Sequence, residues 1–253
     1  MNRPAARRTA SSLASHALVK RRGGFVLGPV DVELHSGVGA LLGANGAGKT
    51  TFMQLAAGLI APDSGSVGAV TDGSRDGGAV GYLPQDFDGP RRSRVRDYLR
   101  FVAWCRSGRG RRIGESDIDE ALAQVDLVDR AEHRIGSLSG GMVKRLGIAQ
   151  ALLGDPAVII LDEPTVGLDA LQRHEVRGLL RRLGEAKVVL VSTHLSEDVA
   201  TTADQVVALH GGRVVFSGPT SGLAGAAPGA RPTAEAVDDG LIALIGGQVN
   251  HAR

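Results

Sequence analysis

Apolar residues lie along this chain in short unbroken runs that are separated by segments with helical spacing. Residues 38–42, 157–161 and 188–192 are runs of the kind found in strands buried on both faces. Between these runs, apolar positions recur at helical intervals, as in residues 52–59 and 170–183. Strands that alternate with helices predict an α/β fold with a mainly parallel sheet and right-handed crossovers.

The start of the chain predicts a smaller antiparallel β subdomain. Residues 14–20 and 30–34 have strand character and flank a glycine turn at 21–24, and weaker strand signals follow near residues 67 and 70. Residues 72–78 are polar and glycine-rich, so we expect a loop before a strand at 79–83. The first fifteen residues lack the apolar core of a signal peptide and are interpreted as a disordered tail.

Residues 87–155 are predicted to form a mostly helical insertion in the α/β core. Its helices are expected near residues 95–102, near residues 118–125 with Ser116 as the cap, and at 141–153. Residues 91–112 hold nine arginines and one acidic residue, Asp97. Two interpretations stay open: a solvated face, or a basic surface for acidic loops of a membrane partner or anionic lipid headgroups.

The end of the chain changes in composition. Residues 206–209 and 213–216 flank Gly211 and Gly212, a pattern typical of a β-hairpin. Residues 218–232 are rich in glycine, alanine and proline, which predicts a flexible linker. Thr233 is expected to cap a short final helix that ends near residue 245.

Overall composition narrows the function classes. The 253 residues include 43% hydrophobic residues, enough for a core, and no apolar run approaches the roughly 18 residues of a spanning helix. A formal net charge of +2 is too small to indicate a nucleic-acid partner. The single cysteine, Cys105, excludes an intrachain disulfide and fits a reducing cytosol.

A glycine-rich turn between the strand at 38–42 and the following helix predicts a phosphate-binding loop. Its residues are Gly43, Ala44, Asn45, Gly46, Ala47, Gly48, Lys49, Thr50 and Thr51. Glycines let backbone N–H groups close around phosphate oxygens, and the helix N-terminus adds partial positive charge. Lys49 would reach the β- and γ-phosphates, while the Thr50 hydroxyl would bind Mg²⁺. The alternative is a chance match in a chain with 36 glycines.

Two adjacent carboxylates, Asp162 and Glu163, end the buried run at 157–161. A carboxylate at such a strand end holds hydrated Mg²⁺ in P-loop enzymes. Asp162 would order the metal shell, and Glu163 would orient or deprotonate the attacking water. A surface Asp-Glu pair at a strand end is the simpler alternative.

With these motifs the chain resembles the ATP-binding-cassette (ABC) ATPases, a type of P-loop NTPase. The match rests on the phosphate loop and on residues 83–85, 138–142, 160–164, 167–169 and 192–194, in the family's order. The resemblance implies an ABC ATPase domain over residues 1–217, with 218–253 as linker and short C-terminal helix. It also implies a homodimer, or a pair with a similar subunit, closed around two ATP molecules.

The resemblance assigns roles to further residues. Gln85 would reach toward Mg²⁺ and the attacking water, and His194 would contact the γ-phosphate. Ser139, Gly140 and Gly141 would bind the γ-phosphate of ATP held by the opposite subunit, and Asp169 would lie at the dimer interface. The backbone supports the role of the Ser-Gly-Gly signature, because it is another glycine-rich helix start.

Two positions depart from the usual pattern. Arg22, with Phe25 nearby, stands where the family often places an aromatic residue under adenine. A guanidinium can stack on a ring, so adenine binding is retained, while the preference for ATP over GTP stays open. Met142 stands where glutamine is commonest in the signature. In this it resembles a subfamily that pairs with multidrug, antibiotic or polysaccharide export permeases.

The leading hypothesis is an ATPase subunit that powers a separate integral membrane permease from the cytoplasmic face. The alternative is a soluble ABC-type ATPase in cofactor assembly or another non-transport role. A nucleotide sensor without turnover is a third class, and it would require damage at Glu163 or His194, both of which are present.

Overall fold

The computed structural model describes residues 11–70, 80–107 and 112–251. Its strands are β1 (Ser12–Arg22), β2 (Phe25–His35), β3 (Gly37–Leu42), β4 (Ser64–Val70), β5 (Val80–Leu83), β6 (Val158–Asp162), β7 (Val188–Thr193), β8 (Gln205–His210) and β9 (Arg213–Pro219). Its helices are α1 (Lys49–Ala56), α2 (Val95–Arg106), α3 (Glu115–Gln124), α4 (Gly140–Leu152), α5 (Ala170–Gly184), α6 (Ser196–Thr202), α7 (Thr220–Leu223) and α8 (Ala234–His251). Within these ranges, no helix has both the length and the apolar character needed to span a bilayer.

A six-stranded sheet with the order β5-β6-β7-β3-β8-β9 forms the centre. Its first five strands pair in parallel, and β9 adds antiparallel to β8 through the predicted hairpin. Successive side chains of the central strands enter different apolar clusters: Ile159 and Leu161 pack on one face, Val158 and Ile160 on the other. Burial on both faces explains the unbroken apolar runs, and the α/β prediction is confirmed.

A second, three-stranded antiparallel sheet with the order β2-β1-β4 contains the N-terminal strands. β1 begins at Ser12, and Leu13 is fully buried. The predicted disordered tail through residue 15 was therefore wrong over residues 12–15, because this segment pairs with both β2 and β4. The loop predicted at 72–78 lies outside the described residues.

Helices α2, α3 and α4 fill the interval between β5 and β6, as predicted for the insertion at 87–155. The Ser116 cap was wrong: Gly114, two residues earlier, is the N-cap, and α3 begins at Glu115. The Asp117 carboxylate accepts the Gly114 N–H at 2.8 Å, which satisfies the helix start without a serine.

Several arginines of the arginine-rich stretch pair with acidic residues of the insertion. Arg96 lies 2.7 Å from Asp119, and the Arg100 Nε donates to Glu115 at 2.6 Å. Arg94 pairs with Glu132 at 2.9 Å. Neither sequence interpretation described this arrangement, in which acidic residues from later segments meet the arginines of α2.

The segment predicted as a flexible linker contains structure. α7 lies near its start, with Thr220 and Leu223 buried. Thr233 accepts the Ala236 N–H at 3.2 Å, so its predicted capping role is confirmed. The final helix extends to His251 rather than ending near residue 245, and it packs on α6 through the fully buried Val237.

Candidate nucleotide-binding and hydrolysis site

The predicted phosphate loop connects the carboxyl end of β3 to the N-terminus of α1. Gly48, which precedes the helix, has a φ of 106°, and a Cβ there would lie 2.9 Å from Leu27. Only glycine fits this left-handed, crowded position. Because the first N–H groups of a helix have no partner within it, the loop and the start of α1 present donors suited to an anion.

The Lys49 side chain folds over this loop. Its Nζ donates to the Gly43 carbonyl at 2.6 Å and the Ala44 carbonyl at 3.1 Å. Burial lowers the pKa of Lys49, an effect partly opposed by the charges of Glu163 and Asp162. The ammonium therefore sits above the loop backbone, where a phosphate oxygen can replace a carbonyl as its acceptor.

Two of the three residues predicted to hold Mg²⁺, Thr50 and Asp162, are in contact. Thr50 Oγ1 donates to Asp162 Oδ2 at 3.1 Å. A hydroxyl and a carboxylate are hard oxygen donors, which Mg²⁺ prefers, and it usually completes its shell with phosphate oxygens and water. Among the described residues, no group of three or more His, Cys, Asp or Glu side chains is arranged to hold a metal ion.

Glu163 lies at the centre of the predicted catalytic group. Its Oε2 accepts Gln85 Nε2 at 3.2 Å, and its Oε1 lies 3.2 Å from His194 Nδ1. The Glu163 side chain is 10% exposed, whereas His194 is 47% exposed. Gln85 and His194, two of the residues predicted to act with Glu163, thus each contact its carboxylate.

The backbone at Glu163 is held in an uncommon conformation. Its φ is +49°, a left-handed value that side chains other than glycine rarely adopt. Ser192 stabilises this turn: its Oγ accepts the Glu163 N–H at 2.9 Å and donates to Asp162 Oδ1 at 2.5 Å. Sequence reasoning gave Ser192 no site role, although its place at the end of a buried strand was a usable signal.

A cleft of about 670 Å³ lies over these groups. It is lined by Arg22, Phe25, Asn45, Gly46, Gly48, Lys49, Thr50, Thr51, Gln85, Asp162 and Glu163. Arg22 and Phe25 therefore both reach the cleft, consistent with the predicted base-stacking position. Arg22 is exposed and its Nη1 donates to Gln54 at 3.5 Å.

The signature residues lie elsewhere. Ser139 is the N-cap of α4, and its Oγ accepts the Met142 N–H at 3.3 Å. Ser139, Gly140 and Gly141 do not line the phosphate cleft. Asp169, which begins α5, accepts the Gln172 N–H at 2.8 Å and is likewise outside that cleft. The structure thus brings the phosphate loop together with Gln85, Asp162, Glu163 and His194. It leaves the signature residues 139–141 and Asp169 outside that group.

Lys144 on α4 is a further residue near the site. Its Nζ donates to the Gln85 carbonyl at 3.3 Å, which links the signature helix to the glutamine loop. Burial lowers its pKa, and the charges of Glu163, Asp86 and Asp162 oppose that effect. No local signal in the sequence indicated this contact, which joins residues 59 positions apart.

A family model described as ABC transporter matches residues 27–166, more than half of the chain. The chain belongs to this family. Its members are ATP-binding domains that hydrolyse ATP, and the resemblance drawn from the motifs is confirmed.

Curated relatives carry several functional names. The uncharacterized ABC transporter ATP-binding protein YxlF of Bacillus subtilis is 42% identical over 71% of this chain and 60% of its own length. The probable multidrug ABC transporter ATP-binding protein YbhF of Escherichia coli is 35% identical over 77% of this chain and 35% of its own length. The molybdenum import ATP-binding protein ModC of Brucella suis is 34% identical over 80% of this chain and 58% of its own length. This chain therefore spans between about a third and three fifths of the length of these relatives.

Solved structures share the fold. The cbiO1 protein of Clostridium perfringens, described as part of the ABC transporter complex cbiONQ, aligns with a TM-score of 0.73 at 25% identity. That alignment covers 95% of this chain and 97% of the other. The fold prediction, a P-loop ABC ATPase with an antiparallel N-terminal sheet and an inserted helical subdomain, is confirmed.

Proposed function

We propose that this chain is the ATP-hydrolysing subunit of an ABC transporter, and that it dimerises around two ATP molecules to drive a separate membrane permease. The observation that carries the proposal is the Glu163 carboxylate, which lies between Gln85 and His194 next to the Thr50–Asp162 pair. A carboxylate held at this strand end is suited to accept a proton from water.

In this mechanism, Lys49 and the loop N–H groups bind the β- and γ-phosphates. Thr50, Asp162 and Gln85 are the residues that would hold Mg²⁺, which when bound offsets negative charge on the phosphates. Glu163 orients the attacking water and takes its proton, while His194 donates a hydrogen bond toward the γ-phosphate. The pre-existing Glu163–His194 contact fixes both groups before the reaction.

Glu163→Gln tests the hydrolysis step. The amide keeps the shape of the side chain but cannot take a proton, so we expect ATP binding to persist while turnover falls at least about a hundredfold. Gel filtration with ATP should then show a stable dimer. Glu185→Gln, at an exposed position after α5, is the matched control. Wild-type turnover in Glu163→Gln would contradict the proposal.

The dimer explains the separated signature residues. Ser139, Gly140 and Gly141 start an α-helix of thirteen residues and lie outside the chain's own phosphate cleft. We propose that they bind the γ-phosphate of ATP held by a second copy or a similar subunit, with Asp169 at the interface. ATP then acts as the bridge that closes the dimer.

An exposed aromatic pair on α2 supports a protein partner. Phe101 and Trp104 are 60% and 73% exposed, and their rings stack with centroids 6.3 Å apart. Large exposed aromatics on a chain with 3% aromatic residues are typical of an interaction surface. We propose that the permease contacts this part of the insertion, which would place the chain at the cytoplasmic face of the membrane.

A double change, Phe101→Ser with Trp104→Ser, tests the permease contact. We expect the variant to keep its ATP affinity and to lose co-purification with an integral membrane protein. Leu59→Ser, at another exposed apolar position, is the control. Full retention of the membrane partner by the double variant would remove this surface from the proposal.

We propose export as the direction of transport. Met142 is similar to the methionine of a subfamily that serves export permeases, and one relative is named as a Nod factor export protein. Another is named for molybdenum import. Substrate efflux from cells that overproduce the chain with its permease tests the direction, and ATP-dependent accumulation inside such cells would overturn it.

A further inference from the structure

Four buried polar side chains lie behind the Glu163–His194 pair and outside the phosphate cleft. Thr165 and Thr193 are each 2% exposed, Asp198 is 6% exposed and Arg177 is 8% exposed. A buried ion pair requires nearly complete hydrogen bonding to offset the loss of water. We name these four residues the Asp198 cluster.

Asp198 uses both carboxylate oxygens within the cluster. Its Oδ1 accepts Arg177 Nε at 2.7 Å and also Arg177 Nη2. Its Oδ2 accepts the Thr165 hydroxyl and, at 3.4 Å, the Thr193 hydroxyl. One side of the carboxylate is thus fixed by a cation on α5, and the other is shared by two loops.

Those two loops carry the catalytic residues. Thr165 follows Glu163 by two positions, and Thr193 immediately precedes His194. The Thr193 hydroxyl also accepts the Leu195 N–H at 3.0 Å, so it holds the backbone on both sides of His194. Asp198 is therefore connected to the Glu163 loop through the Thr165 hydroxyl and to the His194 loop through the Thr193 hydroxyl.

Arg177 extends the connection to the start of α5. That helix begins after Asp169, and Arg173 on its first turn donates to the Leu168 carbonyl at 3.2 Å. Arg177 also donates to Glu197 at 3.1 Å. Burial opposes the charge of Arg177, yet its hydrogen bonds to Glu197 and Asp198 raise its pKa overall, so it remains a cation.

We propose that Asp198 is a positioning residue that keeps Glu163 and His194 in contact and makes their alignment depend on the position of α5. It does not line the phosphate cleft, and it acts through Thr165 and Thr193. A displacement at Asp169, where α5 begins, is carried by Arg177 to Asp198 and so to both loops. This inference rests on the proposed ATP hydrolysis and adds a regulation of that site.

The test removes the two hydroxyls and leaves the Arg177–Asp198 ion pair intact. Thr165→Val and Thr193→Val keep the side-chain shape. If the loops lose their alignment, kcat should fall at least about tenfold, since small misplacements at a reacting centre are costly. KM for ATP should stay within about twofold, because the phosphate loop is untouched.

Two controls separate positioning from a general loss of stability. Thr165→Ser and Thr193→Ser retain the hydroxyls and should keep most of the activity. Thr202→Val removes a hydroxyl that is also buried on α6 but does not contact Asp198, and it should turn over like wild type. An unchanged kcat in both Thr165→Val and Thr193→Val would overturn the inference. A fall in kcat of the same size in Thr202→Val would overturn it as well.

A second measurement does not depend on turnover. Amide hydrogen exchange in residues 163–169 and 193–198 should be faster in Thr165→Val and Thr193→Val than in Thr202→Val. Unchanged exchange in both segments would refute the inference. Absence of turnover in wild type would instead refute the proposed function, and exchange would still decide whether the Asp198 cluster aligns the loops.

Discussion

The end of β6 and the start of α4 make an instructive contrast. At the first, Glu163 contacts Gln85 and His194, and its strained backbone is held by Ser192. At the second, the Ser139 hydroxyl accepts one N–H of its own helix. The first region is assembled within one chain, whereas the second offers a helix N-terminus that we propose to bind the ATP held by another subunit.

Lys49→Ala should have the largest effect and should act only on the first region. Removing the buried cation leaves the phosphate charge without its partner, so we expect ATP binding to weaken and turnover to fall by about a hundredfold or more. Isothermal titration and a phosphate-release assay measure both. Lys20→Ala, far along the chain from the loop, is the control.

Unchanged ATP affinity in Lys49→Ala would contradict the assignment of residues 43–51 as the phosphate-binding loop. It would also remove the contrast between the two regions, because neither would then be shown to hold nucleotide by itself.

Gly140→Asp probes the second region. A Cβ at Gly140 meets only the end of Gln172, at 4.0 Å, and an acidic side chain is favourable in the first turn of a helix. The fold should therefore tolerate the change while the carboxylate repels a γ-phosphate. We expect monomer ATP affinity to be retained and turnover to fall at least about tenfold.

Gly140→Asn adds nearly the same bulk without the charge and should retain most of the turnover. Equal loss in both variants would indicate a steric effect, and loss of monomer ATP affinity would place the signature in the chain's own cleft.

Arg22→Ala should have a smaller effect. A guanidinium stacked on the base contributes about 0.5–1 kcal/mol at an exposed site, so KM for ATP should rise about two- to fivefold with little change in kcat. Parallel titration with GTP shows whether Arg22 selects the base. An unchanged KM would leave Phe25 as the side chain that contacts it.

Several of these residues could be placed from the sequence alone. Asp162 ends the buried strand β6 and His194 follows the buried strand β7, and the carboxyl ends of parallel strands meet at one edge of a sheet. Local signals were sufficient there. The Arg96–Asp119 and Arg177–Asp198 pairs join segments more than twenty residues apart, and no local pattern indicates such partners.

Two predictions of local structure were wrong. Ser116 was a reasonable cap by residue type, but Asp117 accepts the Gly114 N–H and the helix starts earlier. Glycine and alanine predicted a flexible linker at 218–232, yet Thr220 donates to the Ala203 carbonyl at 2.9 Å and helps fix α7. A contact within one helical turn decided the first case, and a tertiary contact decided the second.

The smallest expected effect is on acid stability of the insertion that carries the signature. Hydrogen bonding to Arg100 outweighs the slight burial and holds the pKa of Glu115 below its ordinary value of 4.5. This stabilisation is complete above pH 4.5 and is lost as pH falls through the lower folded-state pKa. Glu115→Gln should remove that part of the acid sensitivity in thermal unfolding, and an unchanged pH dependence would contradict it.

Mixing two inactive variants tests most directly whether the two regions work across subunits. A dimer of Lys49→Ala with Gly140→Asp contains one site with an intact phosphate loop and an intact signature. Random pairing makes about half of the dimers mixed, with one of two sites active, so about a quarter of wild-type turnover should return. A mixture as inactive as each variant alone would contradict the shared site.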